Sequence, residues 1–514
     1  MPEHLRALVV ILVLAAVVFV FAKGPACALA CAPADFERRR NLWFGVTLAA
    51  FLAHDFWIYI VIVAVLLLLA LGREPRKLAL FFFLLLALPR ISGSVPGLGV
   101  FNYLFDIDYL RLLALAVLLP AYLSLRGQPG VERFGRSLPD KLIAGYVVFD
   151  CILMLTYGNF TTTLRNGVFY AFVDVFLPYY VASRSLRSIQ DFGDVLMSFV
   201  IAASVLSAIL FVEFARGWLL YGSLERALGV SWGWSSYLLR EGSLRALGTA
   251  GHAIVAGYVV AVAIGFSLYL RRVVPDAKIW GLGLALLLAG LIAPISRGPW
   301  VGAAAMLVMF VATGPSRTRA VARLAPLAVI AFPLLVVSGL GEKILEYLPF
   351  VGSIEARNVA FRQRLAETSF QVFLQNPFLG RYDYLETEAM QSLRGGDGMI
   401  DMVNTYAIVG LSRGLVGLSL FVGFFGTVAY RVYRGMQSLS DRNDERHVLG
   451  RALLATLLGI MLIIGTASPT LFIPVVYWCV AGLGVAYARM LTSETASEAA
   501  KPVKFQPASA KAAT

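Results

Sequence analysis

The stretch "SRGPW", residues 296–300, places one arginine between two apolar runs. Arg297 follows "IWGLGLALLLAGLIAPI" and precedes "VGAAAMLVMFVATG". Removing a guanidinium group from water is costly, so an arginine between two membrane-length segments suggests a functional site. Guanidinium groups bind phosphate oxygens through paired, directional hydrogen bonds that a lysine does not reproduce. We therefore weigh a phosphate-binding role for Arg297, with Ser296 beside it to position substrate, against a structural role at the lipid headgroups.

Three carboxylates in or near apolar segments offer Arg297 a second structural alternative. They are Asp150, Asp174 and Glu213. A buried carboxylate that pairs with an arginine satisfies both charges without a ligand. For Asp150 and Asp174, such structural pairing is favoured over catalysis.

Two polar stretches carry further arginines. The first, Leu239–His252, reads "LREGSLRALGTAGH" and contains Arg245. The second, Asn358–Tyr406, contains the pair Arg362 and Arg364. Counting the spans predicts that the turn of Arg297 faces the same side as both stretches, so we expect these arginines to converge with it on one outward-facing cavity. The first stretch follows aromatic residues of the kind found at membrane interfaces, namely Trp232, Trp234 and Tyr237.

The second stretch begins with the pattern of an amphipathic helix. Its polar face carries Glu367. Asn376-Pro377 and then Gly380 predict where the helix ends. Such a helix lies along the membrane surface with its apolar face toward the lipid. The apolar residues that recur near helical spacing are Phe361, Leu365, Phe370, Phe373 and Leu374.

Membrane helices must position these stretches. The 514 residues are 59% hydrophobic and 15% charged, with a mean hydropathy of +0.77. That balance is far too apolar for a soluble protein, and the apolar runs do not alternate as the strands of a β-barrel do. Since a helix needs ~20 residues to cross the ~30 Å hydrocarbon core, the recurring runs predict an all-α, polytopic membrane protein with about 12–15 transmembrane helices.

Short loops rich in lysine and arginine predict the orientation. When the spans are counted, these loops fall on the same side of the membrane. The positive-inside rule identifies that side as cytoplasmic. The net charge of +13 is mostly this bias and not a nucleic-acid footprint. The other side receives the two long polar excursions, 215–252 and 341–406, and in a bacterium that side of the inner membrane is the periplasm. The basic loops are 73–77, 183–187, 271–272, 316–323 and 431–435.

The chain divides into four regions. N-terminal membrane helices (1–340) include the outer loop 215–252, and a large periplasmic loop with surface helices follows (341–406). C-terminal membrane helices (407–491) then lead to a disordered cytoplasmic tail (492–514). The first run, Leu5–Ala22, fits either a signal-peptide core or an uncleaved first helix, and its length and the later spans favour the helix.

The sequence contains no metal or nucleotide motif. The four cysteines, Cys27, Cys31, Cys151 and Cys479, lack the spacing of a zinc site, and the four histidines are scattered. There is no P-loop, Rossmann glycine fingerprint or GxSxG motif. We therefore expect neither a metal nor another cofactor.

Three motifs, in their order along the chain, resemble motifs of the bacterial O-antigen ligase and Wzy-type polysaccharide polymerase superfamily. They are "RALGTAGH" from Arg245, "SRGPWVG" from Ser296, and "RQRLAETSFQVFLQNPFLG" followed by "DMVNTYAIVGLSRGLVGL". The resemblance covers residues 245–418. It implies a metal-independent glycosyltransferase whose donor is a glycan linked to undecaprenyl diphosphate. It also implies that Arg245 and Arg297 bind the diphosphate and that Arg362 or Arg364 assists.

One position departs from the family pattern. Many ligases of this family have a histidine before the Asn of the last motif, where this chain has Val403. An imidazole acts as a general base near neutral pH, and a valine does not. The form "GDGMIDMVNTY" looks more like polymerases of exopolysaccharide systems. Asp401 is then the leading candidate base, with Glu386 and Glu388 behind it, and the alternative for Asp401 is to cap the following helix.

Asn404 and Tyr406 either take part in catalysis by orienting substrate hydroxyls or anchor the helix that follows. The resemblance favours polymerisation of lipid-linked repeat units into an exopolysaccharide or O-antigen-type chain. The implied partners are the lipid-linked glycan, an acceptor glycan, the bilayer and other polysaccharide assembly proteins. A ligase that transfers the glycan to lipid A core or protein is the main alternative. A transporter or flippase is disfavoured because the chain shows no internal repeat, and a nonenzymatic assembly partner is disfavoured to a similar degree.

Overall fold

The computed structural model describes residues 2–29, 31–97, 99, 102–230, 237–240, 242–315, 356–394, 400 and 402–499. Of residues 29, 356–362 and 494–499 it describes the backbone alone. Several positions singled out from the sequence lie outside the described residues. These are Trp232, Trp234, Asp401, the basic loop 316–323 and an apolar run that the sequence predicts to span the membrane, Leu324–Val337.

Helices make up most of the described chain, and two short antiparallel ribbons accompany them. The ribbons pair β1 (Ser92–Pro96) with β2 (Tyr103–Asp108), and β3 (Leu239–Arg240) with β4 (Ser243–Leu244). The main helices are α1 (Glu3–Leu29), α2 (Pro33–Leu52), α3 (Phe56–Leu71), α4 (Lys77–Leu84), α5 (Tyr109–Arg126), α6 (Leu138–Tyr157), α7 (Leu177–Ser185), α8 (Ile189–Arg216), α9 (Ala253–Val273), α10 (Ala277–Ile292), α11 (Arg297–Ala312), α12 (Ala356–Gln375), α13 (Thr405–Gln437), α14 (Glu445–Ile464) and α15 (Ile473–Ala499).

Seven helices in the described residues are long and apolar enough to cross a membrane. They are α1, α5, α8, α9, α13, α14 and α15. Helices α3, α10 and α11 are apolar but shorter. The prediction of an all-α, polytopic membrane protein is confirmed. Within the described residues, the spanning helices are fewer than the predicted segments. Some apolar runs form short helices, such as the eight residues of α4, and α2 carries three consecutive arginines.

The described basic loops gather at one end of the helix bundle. At the start of α8, Asp191 pairs with Arg76 at 2.8 Å. Gly193, half a turn further along α8, faces the hydroxyl of Tyr269 near the end of α9. That hydroxyl donates to Glu445 at the start of α14 over 2.8 Å. We call this the basic end, and it carries the loops 73–77, 183–187, 271–272 and 431–435.

The opposite end gathers the starts of three helices. Gly257 of α9 has no side chain, and this leaves room for Pro299 in the first turn of α11, 2.9 Å from where a Cβ would stand. Thr405, the first residue of α13, donates its hydroxyl to the carbonyl oxygen of Ala467 over 2.7 Å. We call this the site end. It carries the described part of the stretch Leu239–His252, on the same side as "SRGPW", as the sequence predicts.

Candidate functional site

The turn between α10 and α11 holds Arg297 in an unusual backbone. Ile295 has a φ of +48°, which is a genuine outlier for a β-branched residue. Such strain persists only where the surroundings enforce it, and it clusters at functional sites. Ser296 is the buried N-cap of α11, and Arg297 is the first helical residue and is half-buried. The positive end of the helix dipole therefore reinforces the guanidinium charge.

The segment that carries Arg245 lies directly against this turn. The N–H of Ala246 donates to the carbonyl oxygen of Ala293 over 3.3 Å. The Nε of Arg245 donates to the carbonyl oxygen of Pro294 over 3.2 Å. One ribbon residue, Arg240, donates from Nη1 to the carbonyl oxygen of Ile295 over 3.3 Å. Two arginines that are distant in sequence, Arg245 and Arg297, therefore belong to one connected structure.

Glu213 fixes the position of the Arg245 segment. This buried carboxylate accepts hydrogen bonds from the backbone N–H groups of Leu220, Leu247 and Gly248, at 2.9, 2.9 and 2.8 Å. Backbone donors satisfy a buried carboxylate without a cation. Glu213 is thus a positioning residue for the loop that follows Arg245.

The two aspartates favoured as structural partners pair with arginines that the sequence analysis did not single out. Asp174 pairs with Arg111 of α5 at 3.0 Å. Asp150 pairs with Arg413 of α13 at 2.6 Å. Both pairs join helices within the bundle, which agrees with structural pairing rather than catalysis.

His252 caps α9 close to Arg245. Its Nδ1 accepts the N–H of Ile254 over 3.3 Å. Burial, and secondarily the positive charge of Arg245, lower the pKa of His252 to about 4. The imidazole is therefore neutral at neutral pH, so it adds no charge to this end of the bundle.

A cavity of about 480 Å³ opens beside the start of α13. Helix α12, the start of α13 and the turn after α14 form its walls. Asn404, the N-cap of α13, lines it and accepts the N–H of Ala407 on its Oδ1 over 3.1 Å. Tyr406 also lines it, and its hydroxyl donates to the carbonyl oxygen of Met461 over 2.7 Å. Both side chains thus anchor the start of α13, which was one of the two roles predicted for them, while they face the cavity.

The turn of Arg297 contacts the wall of this cavity. Gly298 packs so closely on the hydroxyl of Thr466 that a Cβ would collide with it. Thr466 is itself a lining residue, as is Val403. The start of α11 therefore contacts the wall of the cavity, whereas neither Arg245 nor Arg297 is among the residues that line it.

Helix α12 ends at Gln375, where "NP" predicts its end. Its apolar residues divide between two surroundings. Leu365 is buried, whereas Phe370 and Leu374 are 63% and 56% exposed. The buried side packs on Met402 and Leu411 around the start of α13. The sequence predicts one apolar face that lies on the membrane surface. In the structure, part of that face packs against the protein and part of it is exposed.

The remaining predicted residues lie around this site or outside the described part of the chain. Arg364, Glu386 and Glu388 are exposed, and none of them lines the cavity. The side chain of Arg362 is outside the description, as is Asp401. Asn404 is the N-cap of α13, whereas the capping role considered for Asp401 concerns a residue outside the described ones.

The loop after α12 docks into a kink of α13, a feature that the sequence analysis missed. Gly414 has φ +60° and ψ −164°, which breaks the helix. The N–H of Leu415, freed by the break, donates to the carbonyl oxygen of Pro377 over 2.8 Å. Gly380 has φ +72° and abuts the backbone of Gly414. The Pro-x-x-Gly and Gly-Leu-Val-Gly-Leu motifs thus form a single structural unit.

Arg413, next to the kink, is a second residue that the sequence analysis missed. Its Nη1 donates to the hydroxyl of Ser412 over 2.8 Å, and its guanidinium lies 5.5 Å from the ring centroid of Tyr146. The sequence does contain a signal for this pair, because Arg413 and Asp150 lie in separate apolar runs. Opposite charges in such runs predict a buried pair.

The arrangement suits an anion held beside an apolar cavity. Helix starts direct their N–H groups and dipoles outward, and α9, α11 and α13 all start at the site end. Arg245 and Arg297 add directional donors suited to phosphate. No protein-family model matches the chain, and no curated protein matches its sequence.

Proposed function

We propose that this chain is a metal-independent glycosyltransferase that polymerises oligosaccharide repeat units linked to undecaprenyl diphosphate. The observation that carries the proposal is the contact between the Arg245 segment and the turn of Arg297. It supports two guanidinium groups acting on one diphosphate, beside a cavity able to admit the sugars. The three motifs that resemble the O-antigen ligase and Wzy-type superfamily meet in this same region.

In the proposed reaction, the donor glycan is bonded through its anomeric carbon to the diphosphate. A hydroxyl oxygen of the acceptor glycan attacks that carbon and forms the new glycosidic bond. The bond from the anomeric carbon to the phosphate oxygen breaks, and undecaprenyl diphosphate leaves with the electron pair. Arg245 and Arg297 stabilise the negative charge that develops on the leaving group, with Arg362 or Arg364 assisting.

As the hydroxyl of the acceptor glycan attacks, a general base must take up its proton. Val403 lines the cavity where many ligases of the resembling family have histidine, and a valine takes no proton. Asp401, two residues earlier, is our candidate base. A diphosphate is a good leaving group, so modest assistance from a carboxylate suffices. Asn404 and Tyr406 hold the start of α13 in place beside the reacting sugars.

We place the reaction at the periplasmic face of a bacterial inner membrane. The support is the gathering of described basic loops at the end of the bundle opposite the arginine site. The positive-inside rule makes the basic end cytoplasmic. The site end then faces the compartment where lipid-linked repeat units are assembled into polymer.

The test is reconstitution of the purified chain in vesicles with purified lipid-linked repeat units. The proposal predicts lipid-linked chains longer than one unit, without added metal or nucleotide. Transfer of the glycan to lipid A core or protein, without chain growth, would identify a ligase. Movement of the substrate across the bilayer with no new bond would refute a transferase of either kind.

A further inference from the structure

An apolar groove opens at the basic end, at the opposite end of the bundle from the arginine site. Its volume is about 360 Å³, within the roughly 300–1,000 Å³ of pockets that bury small ligands. The groove lies between the second halves of α1 and α9 and the first halves of α8 and α10. Its lining includes Val17, Phe21, Ile201, Leu270, Gly283 and Leu287.

The groove lies on an exposed, apolar face of helices that have the length of membrane spans. Val17, Phe21 and Leu282 on its rim are 52%, 55% and 57% exposed. Helices α1, α8 and α9 have the length and apolarity of membrane spans. An apolar groove on spanning helices is filled by a lipid chain rather than by water, and its volume suits one chain rather than a helix of a partner protein.

Three cations lie at one end of the groove, where the chain passes from α9 to α10. Arg271, Arg272 and Lys278 are exposed there, together with Asp276, which caps α10. The guanidinium of Arg271 lies 5.5 Å from the ring centroid of Trp280. Trp280 lines the groove, and tryptophan prefers the level of the lipid headgroups.

Any preference of this groove for one lipid over another must come from the cations beside it. Lipid tails are as apolar as its walls, so filling it gives no hydrophobic preference over the bulk bilayer. A cationic rim, in contrast, attracts anionic headgroups. We propose that the groove binds one anionic phospholipid, with an acyl chain inside and the phosphate at Arg271, Arg272 and Lys278. This site is independent of the proposed function.

The acyl-chain part is tested by filling the groove in the purified full-length chain. Gly283 lines the groove, and no atom lies within 4 Å of where its Cβ would stand. Native mass spectrometry with phosphatidylglycerol should show at least roughly tenfold weaker binding to Gly283→Leu. Gly281 has the same open space on the same helix but does not line the groove. Gly281→Leu should therefore bind like the unchanged protein.

The headgroup part is tested by removing the rim charges. Arg271→Gln, Arg272→Gln and Lys278→Gln together should abolish the preference for phosphatidylglycerol over phosphatidylcholine, at about fivefold per charge. The control is Arg434→Gln with Arg442→Gln, which removes two other exposed cations at the basic end. Equal affinity of the unchanged protein for both lipids, or unaltered binding by Gly283→Leu, would overturn the proposal. Tighter binding of undecaprenyl phosphate than of phosphatidylglycerol would assign the groove to an isoprenoid chain and overturn it too.

Discussion

Arg245 donates from its Nε to the carbonyl oxygen of Pro294 over 3.2 Å. Pro294 belongs to the turn that leads into Arg297, so one hydrogen bond ties together two motifs that are separated by about fifty residues. Glu213 holds the same segment from behind through three backbone N–H groups. The positions of the two guanidinium groups thus depend on one compact arrangement of loops at the site end.

Asp401→Asn should slow polymerisation while leaving the melting temperature unchanged. General-base assistance contributes about 10²–10⁴-fold to a rate, and an amide cannot accept the proton. The measurement is the initial rate of chain growth in reconstituted vesicles, with Glu386→Asn and Glu388→Asn alongside. Full activity of Asp401→Asn would remove it as the base, and a slow Glu386 variant would shift the assignment there.

Two substitutions separate the capping of α13 by Asn404 from its proposed role in chain growth. Asn404→Ala removes the N-cap of α13 and should lower stability by about 1 kcal/mol. Asn404→Asp keeps an oxygen for the N–H of Ala407 but loses the amide donor that faces the cavity. We expect it to preserve the melting temperature and to reduce chain growth. If Asn404→Asp is as active as the unchanged protein, its role is limited to the cap.

Gly380→Ala should undo the docking of the loop into α13. A side chain there meets the backbone of Gly414, and the left-handed φ of +72° costs roughly 1–3 kcal/mol for a residue other than glycine. We expect a lower melting temperature and faster proteolysis of the loop after α12. Gly423→Ala lies in the same helix α13 with open space around it, and it should behave like the unchanged protein. A tolerated Gly380→Ala would contradict the close backbone packing.

Acid should destabilise the protein through His252. In the unfolded chain its imidazole takes up a proton below about pH 6.5, whereas in the folded protein the pKa of His252 is lowered to about 4. Between these values the unfolded state binds more protons, so stability falls as the pH falls, by roughly 3 kcal/mol across the window.

His252→Asn provides the control for this pH effect. Asparagine keeps a side-chain acceptor at the N-cap of α9 but does not titrate. The melting temperature of this variant should therefore depend less on pH between about 6.5 and 4. An identical slope in both proteins would show that other groups cause the acid sensitivity.

Local signals in the sequence predict much of the architecture. Hydrophobic runs predict the membrane helices, "NP" predicts the end of α12 at Gln375, and the lysine and arginine bias predicts which described loops share an end. These signals are local because a helix satisfies its own backbone. Counting the spans predicts the shared side of Arg245 and Arg297.

The details of the site depend on contacts between distant residues. The φ of Ile295 is positive although nothing in "APISRG" requires it. The kink at Gly414 exists because Pro377 supplies a carbonyl oxygen for an N–H that the helix has lost. Likewise Phe370 and Leu365 belong to one periodic pattern, yet only Leu365 is buried, because the start of α13 covers one part of the helix. Periodicity predicts an apolar face and not which neighbour covers it.

We propose that Arg245 and Arg297 bind one diphosphate together. Measuring the affinity for undecaprenyl diphosphate tests this proposal directly. The measurement compares the affinity of the unchanged protein with those of Arg245→Lys and Arg297→Lys. Arg216→Lys serves as the control, because Arg216 is an exposed arginine at the site end. We predict that each of the two variants binds at least roughly tenfold more weakly and that chain growth falls about 10²-fold or more, with no change in the melting temperature of Arg297→Lys. Unchanged affinity of both variants, or polymer of normal length from Arg297→Lys, would contradict the account.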